Sequence, residues 1–413
     1  MSLLRATGVA LLACVPAVDA LAAIGDKPFA PRVRVEVTRE GAEFIAEYTF
    51  DRPVEAWVMP RSDVTRDDPE LWRPRSWTVE TRGVRLQHVG HYDVLTAARG
   101  EMPLQVRVRV RPFGRGLRAD YTPALLFTDG AVALFVAQFE MFPMDSLREV
   151  RALPSDLNNQ LLPAAEITYV FRDPAGAVLL EGKRERLAET RKSDTYAFFG
   201  ETRPLSTPHL SGILDLQLPA WIRESLSLFV PALMSRYTQE LGALPAMKPT
   251  LFVSWAGATP RLVSRGGSVL RGMIVMTYEG AGMLDETTEQ RHQGLWFIAH
   301  EAAHLYQGST STESGDAWIT EGGAEAFAAM AMRADASAYV QSAEENALGK
   351  CREFLKGRSV RDAIAAGTFD YGSVVSTAAY LEAVSDVGNA GIAEWVQKAV
   401  AEQGANLILN RTN

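Results

Sequence analysis

The hydrophobic pattern of the chain changes once, near residue 203, and this change constrains the fold class. From Arg32 to about Gly200, apolar and polar residues alternate in short runs that end at turn residues, as in Arg32–Thr38 and Leu104–Arg111. Strict alternation is typical of strands with one buried face. After Gly282 the chain is rich in alanine and follows a helical pattern. We therefore predict an α+β protein, in which an N-terminal antiparallel β-sandwich or saddle-shaped sheet precedes a mixed-sheet and helical domain.

Four segments are predicted from composition along the chain. Residues 1–22 combine a short basic start, a small-residue apolar run and an Ala-x-Ala site, which is typical of a secretory signal peptide. We expect an antiparallel β domain at 23–202, a linker with two prolines at 203–211 and a second domain at 212–413. The protein is therefore expected to be exported to the periplasm or secreted. Leu11-Leu12-Ala13-Cys14 also resembles a bacterial lipobox, which leaves a lipoprotein anchored through Cys14 as an alternative.

Composition excludes one class of partner. The 413 residues carry a net charge of -8, whereas nucleic-acid binding requires a basic face. The arginines in Leu104–Arg111 occupy every second position, and we interpret them as the solvated face of a half-buried strand. After signal removal, no segment has the apolar length that is needed to cross a membrane.

The segment that indicates a catalytic function is Trp296–Gly308, which contains His300-Glu301-Ala302-Ala303-His304. In a helix, residues four apart share one face and lie about one turn from each other. His300 and His304 can therefore direct imidazole nitrogens at one ion, and Glu301 lies beside the place of a bound water. Two neutral nitrogen ligands and a carboxylate base are what zinc-dependent hydrolysis requires. The sequence predicts one Zn²⁺ per chain.

A third ligand is expected in the next helix. Catalytic zinc usually has three protein ligands, and two histidines with a glutamate are a common set. Sixteen residues separate His304 from Glu321, which is enough for a loop and the start of a second helix. Glu325 follows Glu321 by one turn, and we predict that it orients a ligand histidine. A solvated helix charge is the alternative for Glu325.

Two strands are predicted before the metal-ligand helix, at Pro249–Trp255 and Val269–Tyr278. Peptides often bind as an extra strand at an exposed sheet edge. We expect Val269–Met276 to be the edge that receives a peptide substrate.

The motif in Ile298–His304, followed by Trp318-x-x-Glu321-Gly322, resembles the gluzincin zinc metallopeptidases, in particular the aminopeptidase N and glycyl aminopeptidase families. The resemblance implies an N-terminal β domain and a thermolysin-like catalytic domain. It also implies a tyrosine that stabilises the transition state, and Tyr371 is the matching position, within Phe369–Glu382. A phenol can donate a hydrogen bond to the developing oxyanion.

The chain departs from aminopeptidase N in one respect that bears on specificity. It contains no Gly-x-Met-Glu-Asn, the segment whose glutamate holds the substrate's free amino terminus in that family. The leading hypothesis is therefore a zinc metallopeptidase acting on peptides or proteins, with Glu301 as general base and with aminopeptidase and endopeptidase specificity both open. A hypothesis from another class is a periplasmic peptide-binding or scaffold protein with little or no turnover.

Overall fold

The computed structural model describes most of the chain between residues 30 and 358. The described ranges are 30–66, 68–118, 121–157, 160–242, 248–307 and 317–358. The predicted signal peptide at 1–22, Cys14 and Tyr371 lie outside them.

The N-terminal part of the described chain consists mainly of strands. Its elements are β1 (Arg32–Glu40), β2 (Glu43–Phe50), β3 (Ala56–Met59), α1 (Trp72–Ser76), β4 (Trp77–Val79), β5 (Val84–Val89), β6 (Tyr92–Ala97), β7 (Gln105–Val110), β8 (Ala124–Leu126), β9 (Val132–Phe135), a 3₁₀ helix (Val136–Phe139), β10 (Phe142–Met144), α2 (Leu147–Ala152), β11 (Glu166–Arg172), β12 (Val178–Leu180), β13 (Lys183–Glu185), β14 (Leu187–Thr190) and β15 (Tyr196–Phe199). They form three sheets, with the strand orders β14-β11-β1-β2-β7-β4, β10-β3-β6-β5 and β13-β12-β15-β9-β8.

In the first sheet, the alternation of apolar and polar residues matches the buried and exposed faces of the strands. Val33, Val35 and Val37 of β1 are buried at 2%, 0% and 0% exposure, whereas the residues between them face outward. β1 and β2 form a hairpin, and Gly41 adopts a positive φ of 67° in its turn. The outer face carries a ladder of ion pairs, in which the arginines of β7 and the one after it meet carboxylates of neighbouring strands: Arg107, Arg109 and Arg111 with Glu40, Glu43, Glu47 and Glu80. This confirms their interpretation as a solvated strand face.

One strand pair of this sheet is parallel. β1 and β11 pair in parallel over Arg32–Thr38 and Glu166–Arg172, although the pattern had predicted an antiparallel domain. Parallel neighbours need a long crossover connection, and here the chain builds the second sheet and part of the third before it returns to β1. Alternation reports which face of a strand is buried but carries no information on the direction of its neighbour.

A buried ion pair connects α1 to the second sheet. Arg73 and Asp93 are 0% exposed, and Arg73 Nη1 lies 2.9 Å from Asp93 Oδ2. The guanidinium lies 4.4 Å and 4.8 Å from the ring centres of Trp72 and Trp77. His88 Nδ1 lies 3.0 Å from the other Asp93 oxygen. Burial raises the pKa of Asp93, but the hydrogen bonds and charges of His88 and Arg73 outweigh this and lower it overall.

The C-terminal part of the described chain combines one sheet with four helices. Its elements are β16 (Leu205–Ser206), β17 (Ser211–Leu214), α3 (Ala220–Leu241), β18 (Thr250–Trp255), β19 (Ser264–Leu270), β20 (Met273–Glu279), a 3₁₀ helix (Ala281–Met283), α4 (Thr288–Gln307), α5 (Ala317–Met332) and α6 (Ser337–Leu355). The strand order is β16-β17-β18-β20-β19, in which β17, β18 and β20 are parallel and β19 is antiparallel to β20. The predicted linker at 203–211 contains β16. The predicted α+β class is confirmed.

The predicted single strand Val269–Tyr278 is wrong, and so is the predicted edge at Val269–Met276. The chain turns at Arg271-Gly272, where Gly272 has a φ of 73°, and β19 and β20 form a hairpin. β20 lies inside the sheet, between β18 and β19, and the end strand is β19. The apolar run at the start of β20 is continuous because an internal strand of such a sheet is covered on both faces.

The two parts of the chain meet through an aromatic contact and a buried carboxylate. Phe198 of β15 stacks on Phe252 of β18 with ring centres 5.5 Å apart. Asp215, 2% exposed, accepts hydrogen bonds from the amides of Thr128 and Trp255 at 2.9 Å and 3.3 Å. One carboxylate thus satisfies backbone donors from both parts of the chain.

Small side chains allow α4 to pack closely against its neighbours. Ala299, Ala302 and Ala303 are 0% exposed, and Tyr237 of α3 donates a hydrogen bond to the carbonyl of Ala299 at 3.1 Å. Ala324 of α5 is also fully buried. α4 is therefore held from both sides, which fixes the face that carries the histidines. No helix in the described ranges is long and apolar enough to cross a membrane.

Candidate active site

Helix α4 brings the two histidines of the motif together. His300 and His304 are one turn apart, and their Nε2 atoms lie 3.2 Å from each other. The two rings have centres 4.8 Å apart and are nearly perpendicular, at 83°. Both nitrogens therefore point at one place, as the spacing predicted.

Helix α5 adds a carboxylate to this place. Glu321 Oε2 lies 3.1 Å from His300 Nε2, and Glu321 Oε1 lies 3.6 Å from His304 Nε2. One donor atom from each residue lies within 4.8 Å of the other two. Ligand bonds of 2.0–2.2 Å in a tetrahedron place neighbouring donor atoms about 3.3–3.6 Å apart. The observed separations of 3.1–3.6 Å therefore fit a tetrahedral zinc ion with one position left open.

The other nitrogen of His300 faces a second carboxylate. His300 Nδ1 lies 3.2 Å from Glu325 Oε1 and forms an ion pair with it. The second oxygen of Glu325 accepts a hydrogen bond from Trp296 Nε1 at 2.5 Å. A carboxylate held in this way fixes the ring orientation of a ligand histidine and directs its Nε2 outward.

Glu301 occupies a different environment from Glu321. Its side chain is nearly buried, at 9% exposure, and this burial raises its pKa, with the nearby His300 and His304 charges acting in the opposite direction. Burial acts on Glu321 too, but the hydrogen bonds with the two histidines outweigh it and hold its pKa well below its usual range. Glu301 is therefore the more basic of the two carboxylates, which suits a group that takes up a proton.

His300 is surrounded by negative charge. Burial alone lowers its pKa, but Glu321, Glu325 and Glu301 outweigh that effect, and the protein's own groups raise the pKa of His300 to about 10. A metal ion held by the two Nε2 atoms would take the place of that proton. The donor set therefore favours a cation.

Strand β19 runs alongside α4 next to the site. Gly267 lies so close to the helix that a Cβ atom there would be 3.2 Å from Phe297 Cε1, one turn before His300. Two residues earlier in β19, Arg265 Nη2 donates a hydrogen bond to Gln293 Oε1 of α4. The strand thus packs directly on the helix turn that precedes the histidines.

Five of the six predicted site residues are placed together: His300, Glu301, His304, Glu321 and Glu325. Tyr371 lies outside the described residues. The sequence did not predict the partner of Glu325, which is Trp296, or the position of Arg265. Both contacts join residues that lie 28 or 29 positions apart, beyond the reach of helical spacing.

Comparison with known proteins supports the fold. No protein-family model matches the sequence, and neither does any curated protein. Among solved structures, an aminopeptidase N family protein from Idiomarina loihiensis aligns with a TM-score of 0.52 and 10% identity, over 91% of this chain and 71% of that chain. The chain has the fold of the aminopeptidase N family. The predicted resemblance is confirmed at the level of the fold.

Two further solved structures align at lower TM-scores. An M1 zinc metallopeptidase from Deinococcus radiodurans, a mutant with a bound Tyr-Ser-Ala substrate, is 15% identical over 92% of this chain and 89% of that chain, with a TM-score of 0.43. Leukotriene A4 hydrolase from Saccharomyces cerevisiae is 10% identical, with a TM-score of 0.47. That alignment covers 92% of this chain and 64% of the yeast enzyme.

Proposed function

We propose that the protein is a zinc metallopeptidase that hydrolyses peptide bonds, with Glu301 as general base. One observation carries the proposal: His300 Nε2, His304 Nε2 and a Glu321 oxygen converge at tetrahedral spacing beside a nearly buried glutamate. The fold supports it.

Each residue of the site has its own role in the proposed reaction. His300, His304 and Glu321 hold one Zn²⁺, and Glu325 orients His300. Zinc, when bound, acts as a Lewis acid and makes a water molecule a nucleophile near neutral pH. Glu301 takes a proton from the attacking water and passes it to the leaving amine. Its raised pKa suits both transfers, because a carboxylate that is too acidic accepts a proton poorly.

Tyr371 completes the proposal as a donor to the developing oxyanion. The support for this role is its match to the family segment in sequence. Replacing Tyr371 by phenylalanine should lower kcat by about 10²–10³-fold and leave zinc content unchanged.

The central test replaces Glu301 by glutamine, which keeps size and polarity but removes the base. Zinc content should stay at one per chain by metal analysis, and peptide hydrolysis should fall by about 10²–10⁴-fold. Glu345→Gln is the matched control, because it removes the same charge from an exposed position of α6. Peptide cleavage by the Glu301→Gln protein at the wild-type rate would refute the mechanism.

A mixed peptide library resolves the remaining alternatives. Loss of single residues from free amino ends would identify an aminopeptidase, and internal cleavage an endopeptidase. Binding without new termini would instead support a peptide-binding protein with little or no turnover. Export to the periplasm or outside the cell stays a proposal, supported by the composition of residues 1–22, and amino-terminal sequencing of the protein from its native host tests it.

A further inference from the structure

The contacts between α4 and α5 follow one another along both helices and end at a tryptophan. Trp296, His300 and His304 are spaced by one turn on α4, and Glu321 and Glu325 are spaced by one turn on α5. Glu321 lies 3.6 Å and 3.1 Å from the Nε2 atoms of His304 and His300. Glu325 lies 3.2 Å from Nδ1 of His300 and accepts a hydrogen bond from Trp296 Nε1 at 2.5 Å. Each carboxylate thus contacts two consecutive members of the series on α4.

The tryptophan differs in chemistry from the other members of this series. An indole has one N–H donor and no acceptor, so Trp296 donates to Glu325 and is not a zinc ligand. It occupies Oε2 of Glu325, which leaves Oε1 for Nδ1 of His300. A ligand histidine usually donates its other N–H to such an oxygen. The direction of that oxygen is therefore fixed by the indole.

Glu325 needs such a constraint because its side chain is partly open to water. The side chain is 30% exposed, compared with 14% for His300. An ion pair that is open to water contributes little unless its geometry is held in place. Hydrogen bonds to a charged carboxylate are shorter and stronger than neutral ones. The bond from Trp296 therefore keeps Glu325 facing His300.

A third helix holds the ring of Trp296. Tyr339 of α6 packs edge-to-face on this half-buried ring, with ring centres 6.0 Å apart and planes at 71°. The same tyrosine lies 5.0 Å from the ring of His292, one turn earlier on α4. Trp296 and Tyr339 pack against a small buried cluster formed by Ala329, Met332, Ala336 and Val340. The orientation of the indole thus depends on α6 as well as on α4.

We propose that Trp296 is a positioning residue of the metal site: its indole N–H holds Glu325 against His300, and Tyr339 holds the indole. The inference rests on the zinc site of the proposed function, but it does not depend on peptide hydrolysis. Zinc affinity is then set in part by two aromatic side chains that are not ligands. One of them lies on α6, which supplies none of the three ligands.

The first test is a double-mutant cycle on zinc affinity, measured by competition with a fluorescent chelator at constant pH. Trp296→Phe keeps an aromatic ring, removes the donor and should weaken zinc binding by about 3- to 10-fold. In a Glu325→Ala background, the same substitution should have no further effect, because the group through which it acts is gone. Equal effects of Trp296→Phe in the two backgrounds would overturn the inference, as would no effect in the wild-type background.

Trp221→Phe is the matched control. Trp221 is also half-buried and donates its indole N–H at 2.8 Å, but to the backbone carbonyl of Met283, which precedes α4. Its loss should lower the free energy of unfolding and leave the zinc affinity of the folded protein unchanged. If Trp221→Phe weakens zinc binding as much as Trp296→Phe does, the effect is a general loss of stability and the inference is wrong.

Tyr339→Leu tests the contribution of α6 in the same assay. It keeps an apolar side chain and removes the ring that contacts Trp296. Zinc binding should weaken when Trp296 is present and stay unchanged in the Trp296→Phe background. A loss that does not depend on Trp296 would contradict the role of Tyr339.

Nuclear magnetic resonance provides a signature that a purely structural role would not produce. Each tryptophan gives one indole signal in a proton–nitrogen correlation spectrum, and Trp296→Phe identifies the signal of Trp296. Addition of Zn²⁺ should shift this signal and leave that of Trp221 in place, because the ion acts on His300 and through it on Glu325. A Trp296 signal that zinc leaves unchanged would overturn the inference. If Trp296→Phe does not fold, Glu325→Ala identifies the same signal, since it removes the acceptor of this indole.

Failure of the inference is distinct from failure of the proposed function. If Trp296→Phe binds zinc as tightly as wild type does and wild type cleaves peptides, the inference fails and the function stands. If zinc affinity depends on Trp296 through Glu325 but wild type cleaves no peptide, the inference stands and the peptidase function does not.

Discussion

Replacing Glu325 by glutamine tests whether the carboxylate behind His300 sets metal affinity. The two groups lie 3.2 Å apart, and two full charges at this distance attract by about 1–5 kcal/mol for effective dielectric constants of 80 to 20. A ligand imidazole is neutral, so the low end of that range applies. Loss of such a partner typically weakens metal binding by about 10–100-fold, which corresponds to about 1.4–2.7 kcal/mol and is the effect that we expect.

The assay is competition for Zn²⁺ with a fluorescent chelator at constant pH. Glutamine retains an oxygen for Trp296, so the packing between α4 and α5 should persist, as checked by thermal unfolding of the metal-free proteins. Glu345→Gln removes an equal charge far along α6 and should match wild type. Zinc affinity of Glu325→Gln within about twofold of wild type would show that Glu325 is only a solvated helix charge.

Three predictions concern stability, measured as the free energy of unfolding in urea. Gly267→Ala places a Cβ atom 2.6 Å from a backbone carbonyl oxygen and should cost about 1–3 kcal/mol. Gly266 has open space around it, so Gly266→Ala should change stability by less than about 0.5 kcal/mol. Equal effects of the two substitutions would refute the close packing at Gly267. Asp215→Ala removes the acceptor of three backbone amides, those of Thr128, Gln217 and Trp255, and should cost at least about 2 kcal/mol. A smaller loss would mean that water replaces the carboxylate. Asp93→Ala leaves the Arg73 charge buried without its partner and should cost about 3–5 kcal/mol at neutral pH. The pKa of Asp93 in the folded protein lies below its unperturbed value of 3.8. The difference in the free energy of unfolding between wild type and this variant should therefore be complete above about pH 4 and shrink as the pH falls through the folded pKa. A difference that stays constant in acid would contradict this prediction.

Much of the site was predictable because its first element is local. A helix places residues four apart on one face, so His300 and His304 could be paired without knowledge of the fold. Glu321 was predicted from residue type and separation, and its approach to the histidines depends on how α5 packs on α4. Glu325 followed from Glu321 by helical spacing, but its second partner, Trp296, lies on the other helix.

The errors also have identifiable physical causes. Met273–Met276 forms a continuous apolar run, and Val269 and Leu270 before Gly272 are apolar as well, so the pattern predicts one strand from Val269. A glycine with positive φ marked the hairpin, but the run alone does not distinguish one long strand from the second strand of a pair. The parallel neighbour of β1 lies more than a hundred residues away, and a crossover of that length leaves no local signal.

The two histidines lie on α4 and Glu321 lies on α5, so an ion held by all three would join the two helices directly. Metal then acts on the whole fold by mass action: an ion that binds only the folded chain adds about 2.7 kcal/mol of stability at a free concentration 100 times its dissociation constant. The temperature of unfolding should rise with free zinc and fall on chelation. Supply of the metal would thereby set the thermodynamic stability of the folded protein as well as its chemistry.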